Sequence, residues 1–131
     1  MFLIDTDICS AHLRNVPTVT QRFLQHSGQL HISVVTLGEL LSWTLRAKSS
    51  PKYHQGLLKL LSDVTVLDIL QSVAWKFGEI RAQLLDRGQP IATADLMIGA
   101  TALIHGFKVV THNTQHFSKV PGLVLEDWSV P

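Results

Sequence analysis

The chain has 131 residues, a formal net charge of +1, and 16% charged against 46% hydrophobic residues. This length predicts one domain, spanning residues 1–131, that buries roughly two-thirds of the surface of its unfolded chain. A charge so close to zero excludes a globally basic nucleic-acid-binding surface, so any polyanion must bind a local patch. The apolar composition predicts that a partner or a second subunit covers part of the surface.

The sequence contains no pattern typical of secretion or membrane insertion. Cys9 is the only cysteine, which excludes an intramolecular disulfide. The first residues lack the basic and long apolar regions of a signal peptide. No apolar stretch reaches the roughly 18 uncharged residues of a membrane-spanning helix. We therefore expect a cytoplasmic protein without membrane contact.

Short apolar runs alternate with helical patterns along the whole chain. The first half predicts a strand at 2–4, a helix from Asp7 to Leu13, a helix from Pro17 to about His26, a strand at 30–35 and a helix from Thr36 to about Ala47. The second half predicts a helix at 52–62, a strand at 64–67, a helix through Val73 and Leu84, a helix from Thr93 to His105, a strand from Phe107 to Thr111 and a last strand at 123–125. Gly106 is in the position that favours a helix C-cap.

This alternation predicts an α/β fold with a mainly parallel sheet. Such sheets bind ligands in the crevice outside the carboxyl ends of their strands. Asp5 and Glu39 follow the first two predicted strands, and Asp95 lies in the first turn of a helix that leads to the fourth. Three carboxylates in one crevice repel one another, and a hard divalent cation that prefers oxygen ligands relieves this repulsion. We therefore predict a metal site at Asp5, Glu39 and Asp95.

Each acidic residue also has a purely structural interpretation. Asp5 ends an apolar strand and must be hydrogen-bonded or metal-bound there, while Asp7 is better placed to cap the helix that follows. Glu39 matches a capping box that begins at Thr36, although its apolar neighbours favour a functional role. Asp95 could act only on the helix dipole, an effect of about 0.3–1 kcal/mol.

Polar residues follow the fourth predicted strand, at the same end of the sheet. The segment from Thr111 to Phe117 offers Asn113, Thr114 and His116 as groups that could bind a phosphate or a water molecule. The simpler interpretation is a polar loop with an Asn turn. The seven histidines have no zinc-ligand spacing with the single cysteine, which argues against a structural zinc site.

Four motifs, in order, resemble those of PIN-domain ribonucleases, specifically VapC-like toxins of bacterial toxin–antitoxin pairs. They are Phe2 to Ile8, Ser33 to Leu40, Ile91 to Ala102 around Asp95, and Thr111 to Phe117 before Val120 to Leu123. Each motif is weak alone, but their order and spacing cover nearly the whole chain.

The resemblance implies a three-layer α/β/α sandwich around a central parallel sheet. It implies an endoribonuclease that depends on Mg²⁺ or Mn²⁺ and acts on structured RNA such as tRNA. It also implies a homodimer that a cognate antitoxin inhibits. By the same analogy Asp5, Glu39 and Asp95 are the catalytic, metal-binding acids. As a separate hypothesis about the mechanism, we expect Thr6, Asp7, Asn113, Thr114 and His116 to orient water or phosphate.

One position departs from the family pattern. Many members carry a fourth acid in the last loop, where this chain has His116. Three acids hold one metal firmly and a second one only weakly, so the two-metal form of the reaction is in doubt. Asp7 or Asn113 could compensate for the missing acid.

Other interpretations of the sequence stay open at this point. Arg46, Lys48 and Lys52 could steer RNA or form a solvated helix end. Asp5-Thr6-Asp7 also fits a haloacid-dehalogenase-like phosphatase, in which the first Asp is a covalent nucleophile. A PIN-like binding module without activity is a further alternative.

Overall fold

The fold is built on a five-stranded sheet in which all neighbouring strands are parallel. A computed structural model describes residues 1–131. The strands are β1 (Phe2–Ile4), β2 (Leu30–Ser33), β3 (Thr65–Leu67), β4 (Lys108–Val110) and β5 (Leu125–Glu126), in the order β3-β2-β1-β4-β5. The first strand in the chain is therefore central in the sheet and pairs with β2 on one side and β4 on the other.

Seven helices cover the two faces of this sheet. They are α1 (Thr6–Leu13), α2 (Pro17–Gln25), α3 (Val34–Thr44), α4 (Pro51–Asp63), α5 (Gln71–Asp86), α6 (Thr93–His105) and α7 (Thr114–Phe117). Successive strand residues point to opposite faces, so β1 contributes to both layers. Phe2 and Ile4 pack with α1, α2 and α4, whereas Leu3 packs with α6 and α7. This arrangement confirms the predicted α/β/α sandwich.

Most predicted elements are present within a few residues of their expected bounds. Helix α6 runs from Thr93 to His105 as predicted, and Gly106 ends it in the left-handed conformation, with φ of 71°. Glycine adopts this conformation without the steric cost of a Cβ atom. No helix combines the length and the apolar character needed to span a bilayer.

Two predicted helix starts are wrong, because a different side chain forms the cap. Helix α1 begins at Thr6, and Asp5 rather than Asp7 caps it by accepting a hydrogen bond from the Thr6 amide. Helix α3 begins at Val34, where the Ser33 hydroxyl accepts from the Val35 amide. A capping box that starts at Thr36 is therefore excluded, and Glu39 lies in the middle of α3.

The end of the chain also differs from the prediction. The segment that was expected to be a polar loop contains the short helix α7, and the last strand is Leu125–Glu126 rather than 123–125. Trp128 follows this strand and is fully buried against Phe2 and Phe23. This buried ring fixes the C-terminal segment to the first strand.

Candidate metal centre

The candidate site lies at the carboxyl ends of β1 and β4. These strands are adjacent in the sheet but distant in sequence. After β1 the chain continues through β2 to β3 at one edge of the sheet, and after β4 it continues to β5 at the other edge. A crevice forms where the strand order changes direction in this way. The backbone joins the strands at that point, because the Asp5 amide donates to the Val110 carbonyl at 2.8 Å.

Asp5 is a buried carboxylate with a partner for each oxygen. Its Oδ1 atom accepts from the Thr6 amide at 2.8 Å, and Oδ2 accepts from the Thr111 hydroxyl at 2.8 Å. Burial raises the pKa of Asp5 to about 7, with the Asp7 and Asp95 charges adding to it, although the two hydrogen bonds act in the opposite direction. Asp5 therefore retains a proton far more readily than an exposed carboxyl group.

Asp7 shares this pocket but is only partly satisfied. Its Oδ2 atom accepts from the His112 amide at 3.1 Å, while Oδ1 is buried and has no hydrogen-bond partner. Burial raises the pKa of Asp7, and hydrogen bonds from the His112 and Ile8 amides oppose this effect. A buried carboxylate oxygen without a donor is costly, and a cation is one means of satisfying it.

Asp95 is the third residue of α6 and is partly buried. Burial raises its pKa, and the Asp7 charge contributes in the same direction, whereas His116 acts to lower it. His116 Nδ1 is 3.7 Å from Asp95 Oδ2, and its side chain is largely exposed. The mutual effects on pKa show that Asp5, Asp7 and Asp95 face a common region.

Glu39 reaches the same region indirectly, because its side chain is bound to Thr6. The Thr6 hydroxyl donates to Glu39 Oε1 at 2.6 Å and lies 3.1 Å from the Thr36 hydroxyl. Glu39 is exposed rather than surrounded by apolar residues, which corrects the environment expected from its neighbours in sequence.

The donor set suits a hard divalent cation, although the side chains do not enclose one in this arrangement. No three acidic, histidine or cysteine side chains stand together as a complete metal site. Asp5 and Asp7 nevertheless lie at the carboxyl ends of β1 and β4, one buried oxygen of Asp7 lacks a donor, and Asp5, Asp7 and Asp95 have raised pKa values. These features fit Mg²⁺, which binds one or two carboxylates and retains several water molecules.

The remaining predicted residues divide into two groups. Asn113 and Thr114 lie beside the crevice at the start of α7, and the Asn113 amide donates to the Thr111 hydroxyl at 3.0 Å. Arg46 and Lys48 lie between α3 and α4 and have no contact with the carboxylates. Lys52 and His12 both line a separate cavity of about 450 Å³. His12 is near the C-terminal end of α1, whereas Asp5 precedes the first residue of this helix.

Sequence analysis did not single out Thr111 and His112, which hold Asp5 and Asp7. Their signal was present, because they directly follow the apolar run of β4 as Asp5 follows that of β1. The pairing of β1 with β4 was needed to show which acids they serve.

The chain belongs to the PIN-domain family, since the model for the family described as "PIN domain" matches residues 2–123. It is also similar to individual VapC proteins over nearly its whole length. A protein of Shigella flexneri named "tRNA(fMet)-specific endonuclease VapC" is 36% identical over 129 residues, with 98% of each chain covered. A protein of the same name from Salmonella typhimurium is 32% identical, with 97% of each chain covered.

Solved structures support the same relationship. The structure described as "DNA bound VapBC from Salmonella typhimurium" contains a chain that matches with a TM-score of 0.90, 32% identity and 97% of each chain covered. A chain of VapBC2 from Rickettsia felis matches with a TM-score of 0.89 and 25% identity, covering 97% of this chain and 98% of that one. The resemblance inferred from the four motifs is confirmed, and the chain is by family an endoribonuclease.

Proposed function

We propose that this protein is a metal-dependent endoribonuclease that hydrolyses phosphodiester bonds of structured RNA, with tRNA as the substrate class. The observation that supports it best is the buried Oδ1 atom of Asp7, which has no hydrogen-bond partner, close to the buried carboxylate of Asp5. A bound cation would satisfy this oxygen. The relatives named after tRNA(fMet) make this tRNA the first one to test.

Asp5, Glu39 and Asp95 would hold the cation, Mg²⁺ or Mn²⁺. When bound, it neutralises the carboxylates and polarises the scissile phosphate. Thr111 and the Thr6 amide fix the Asp5 carboxylate, so this ligand is ordered before substrate arrives. Thr6 also fixes Glu39, and His116 restrains Asp95. Thr6, Asp7, Asn113, Thr114 and His116 would orient phosphate or the attacking water.

The substitution Asp5→Asn provides the direct test of this function. It keeps the size of the side chain and removes its charge. Purified protein with Mg²⁺ is expected to cut tRNA(fMet) at a defined position, and Asp5→Asn and Asp95→Asn are expected to lose at least about a hundredfold in rate. Asp86→Asn is the matched control, because Asp86 is exposed at the end of α5. Undiminished cleavage by Asp5→Asn would contradict the proposal.

We also propose that the protein is a toxin that acts in the cytoplasm and is inhibited by a cognate antitoxin. The VapBC complexes among its structural relatives support this role. Expression of the chain is expected to arrest bacterial growth, and Asp5→Asn is expected to abolish the arrest. Growth arrest by the Asp5→Asn variant would show that toxicity does not depend on cleavage.

A homodimer is the further assembly that we propose. Trp75 on α5 is 69% exposed, and Leu85 on the same helix is 54% exposed. Large apolar groups on one helix are typical of a surface that a partner covers. Sedimentation analysis of the protein alone is expected to give twice the mass of the chain, and Trp75→Ser is expected to weaken the dimer.

The two alternatives from the sequence are not favoured. The match to the PIN domain spans residues 2–123, and Asp5 caps α1 through Oδ1 while Thr111 binds Oδ2. A PIN-domain match over this length does not fit a haloacid-dehalogenase-like phosphatase. An aspartyl-phosphate trapped at Asp5 would restore the phosphatase interpretation, and cleavage of tRNA by the purified protein would exclude an inactive binding module.

A further inference from the structure

Three side chains from two distant segments meet at the rim of the candidate metal centre. His112 Nδ1 is 3.0 Å from Asp127 Oδ2 and 2.9 Å from Ser129 Oγ. The Ser129 hydroxyl and amide both donate to Asp127 Oδ1, at 2.5 and 2.9 Å. Asp127 is thus held by Ser129 on one oxygen and faces the histidine ring with the other.

This arrangement favours a proton on Nδ1 of His112. Partial burial acts to raise the pKa of Asp127, but hydrogen bonds from Ser129 and His112 outweigh it and lower the pKa below its ordinary value. An ionised carboxylate only accepts hydrogen bonds, so Nδ1 must be the donor. In the neutral ring the other nitrogen, Nε2, then has a free lone pair and accepts.

The position of the ring is rigid on both sides. The His112 amide donates to Asp7, and the preceding Thr111 hydroxyl donates to Asp5, so the loop is attached to the carboxylates. Trp128, between Asp127 and Ser129, is fully buried. The imidazole is nevertheless 65% exposed. A fixed, exposed acceptor next to a site loses little conformational entropy when it binds a ligand.

We propose that Nε2 of His112 accepts a hydrogen bond from a ribose 2′-hydroxyl of the RNA beside the scissile phosphate. Asp127 and Ser129 are positioning residues that fix the ring and its tautomer. This inference rests on the proposed ribonuclease function and adds to it a determinant of RNA over DNA. The 2′-hydroxyl is the group by which a protein distinguishes the two nucleic acids at a given nucleotide.

The experiment uses a synthetic RNA hairpin that spans the mapped cleavage position. Versions with a single 2′-deoxy substitution at each nearby nucleotide are compared by fluorescence anisotropy. Binding is measured with the uncleaving Asp5→Asn protein, alone and combined with His112→Ala. One deoxy substitution is expected to weaken binding about fivefold, the effect of one hydrogen bond. With His112→Ala, the all-ribose hairpin should lose the same factor and that deoxy substitution should have no further effect.

Two further variants separate positioning from a purely structural role. In the cleaving protein, Asp127→Ala is expected to raise KM and leave kcat within about twofold, since uniform binding is lost. Asp127→Ala should also make the KM for the hairpin insensitive to the 2′-deoxy substitution. A loss of protein stability alone would not have this effect. Gln115→Ala is the matched control, because Gln115 is exposed on α7 and its side chain makes no hydrogen bond.

The outcomes distinguish this inference from the proposed function. If the hairpin is cleaved but His112→Ala and every deoxy substitution have independent effects, the contact with the 2′-hydroxyl is wrong and the ribonuclease assignment stands. Unchanged binding of the all-ribose hairpin by His112→Ala overturns the inference in the same way. If the hairpin is neither bound nor cleaved by the parent protein, both proposals fail.

Discussion

Thr111 donates a hydrogen bond of 2.8 Å to Asp5, although 106 residues separate them in sequence. Both residues directly follow strands that pair at the centre of the sheet. The Thr111 hydroxyl oxygen also accepts from the Asn113 amide at 3.0 Å. The buried Thr111 hydroxyl therefore connects Asp5 to the segment after β4 that contains Asn113.

Replacing Thr111 by valine should destabilise the protein, because it keeps the shape and removes both hydrogen bonds. We expect a loss of about 1–3 kcal/mol in the free energy of unfolding, measured in urea. Thr101→Val is the matched control, since Thr101 is also fully buried but bonds only to the Met97 carbonyl within α6. It should lose less stability than Thr111→Val, because it removes one hydrogen bond rather than two. Equal losses in the two variants would contradict a special role for Thr111.

The metal-free protein should lose stability as the pH rises from about 4 to 7. The pKa of Asp5 is raised from 3.8 to about 7 on folding, so in this range the folded state holds a proton that the unfolded chain has released. The contribution is present at low pH and is lost as the pH passes through the pKa of the folded state. Asp5→Asn has no such proton and should become more stable than the parent, increasingly so up to about pH 7. Urea unfolding with a chelator at several pH values measures this difference, and a constant difference would contradict it.

Binding of Mg²⁺ should release protons at neutral pH. A cation needs Asp5 ionised, while burial and the charges of Asp7 and Asp95 keep this group partly protonated near pH 7. Calorimetry in two buffers with different ionisation enthalpies should therefore give different apparent heats, and affinity should increase with pH. The difference should vanish well above pH 7. Identical heats in both buffers at pH 7 would show that Asp5 does not take part.

His116→Glu should shift the metal preference toward Mg²⁺. Carboxylate and water oxygens suit Mg²⁺, whereas imidazole suits transition metals, and His116 Nδ1 is only 3.7 Å from Asp95 Oδ2. We expect the ratio of Mg²⁺ to Zn²⁺ affinity to rise about tenfold, measured by calorimetry with each metal. Gln115→Glu adds the same charge one residue away and is the control for a purely long-range effect. An equal change in both variants would argue against a direct role for position 116.

The general fold and two of the acids were predictable from sequence, because local patterns encode them. Alternating apolar runs and helical periods indicate a parallel α/β sheet, and an acid after a buried strand, such as Asp5, must face its open end. Asp95 follows from the start of an apolar helix. Both signals depend only on neighbouring residues.

The rest depends on contacts between distant segments, which local patterns do not contain. Glu39 joins the site through Thr6, and His112 is fixed by Asp127 and Ser129 from the end of the chain. Ser33 and Thr36 are both good capping residues. Ser33 forms the cap because β2 ends at this residue and α3 begins directly after it. Such choices are settled by strand pairing and packing.

The central position of β1 has a consequence for synthesis on the ribosome. Asp5 is made 106 residues before Thr111, so its neighbour strand β4 and the Thr111 hydroxyl emerge from the ribosome long after it. A nascent chain that ends before β4 and Thr111 lacks the hydroxyl that holds Asp5 and the strand that forms one side of the crevice. The hydrogen bond that holds the Asp5 carboxylate can thus form only after residue 111 has left the exit tunnel.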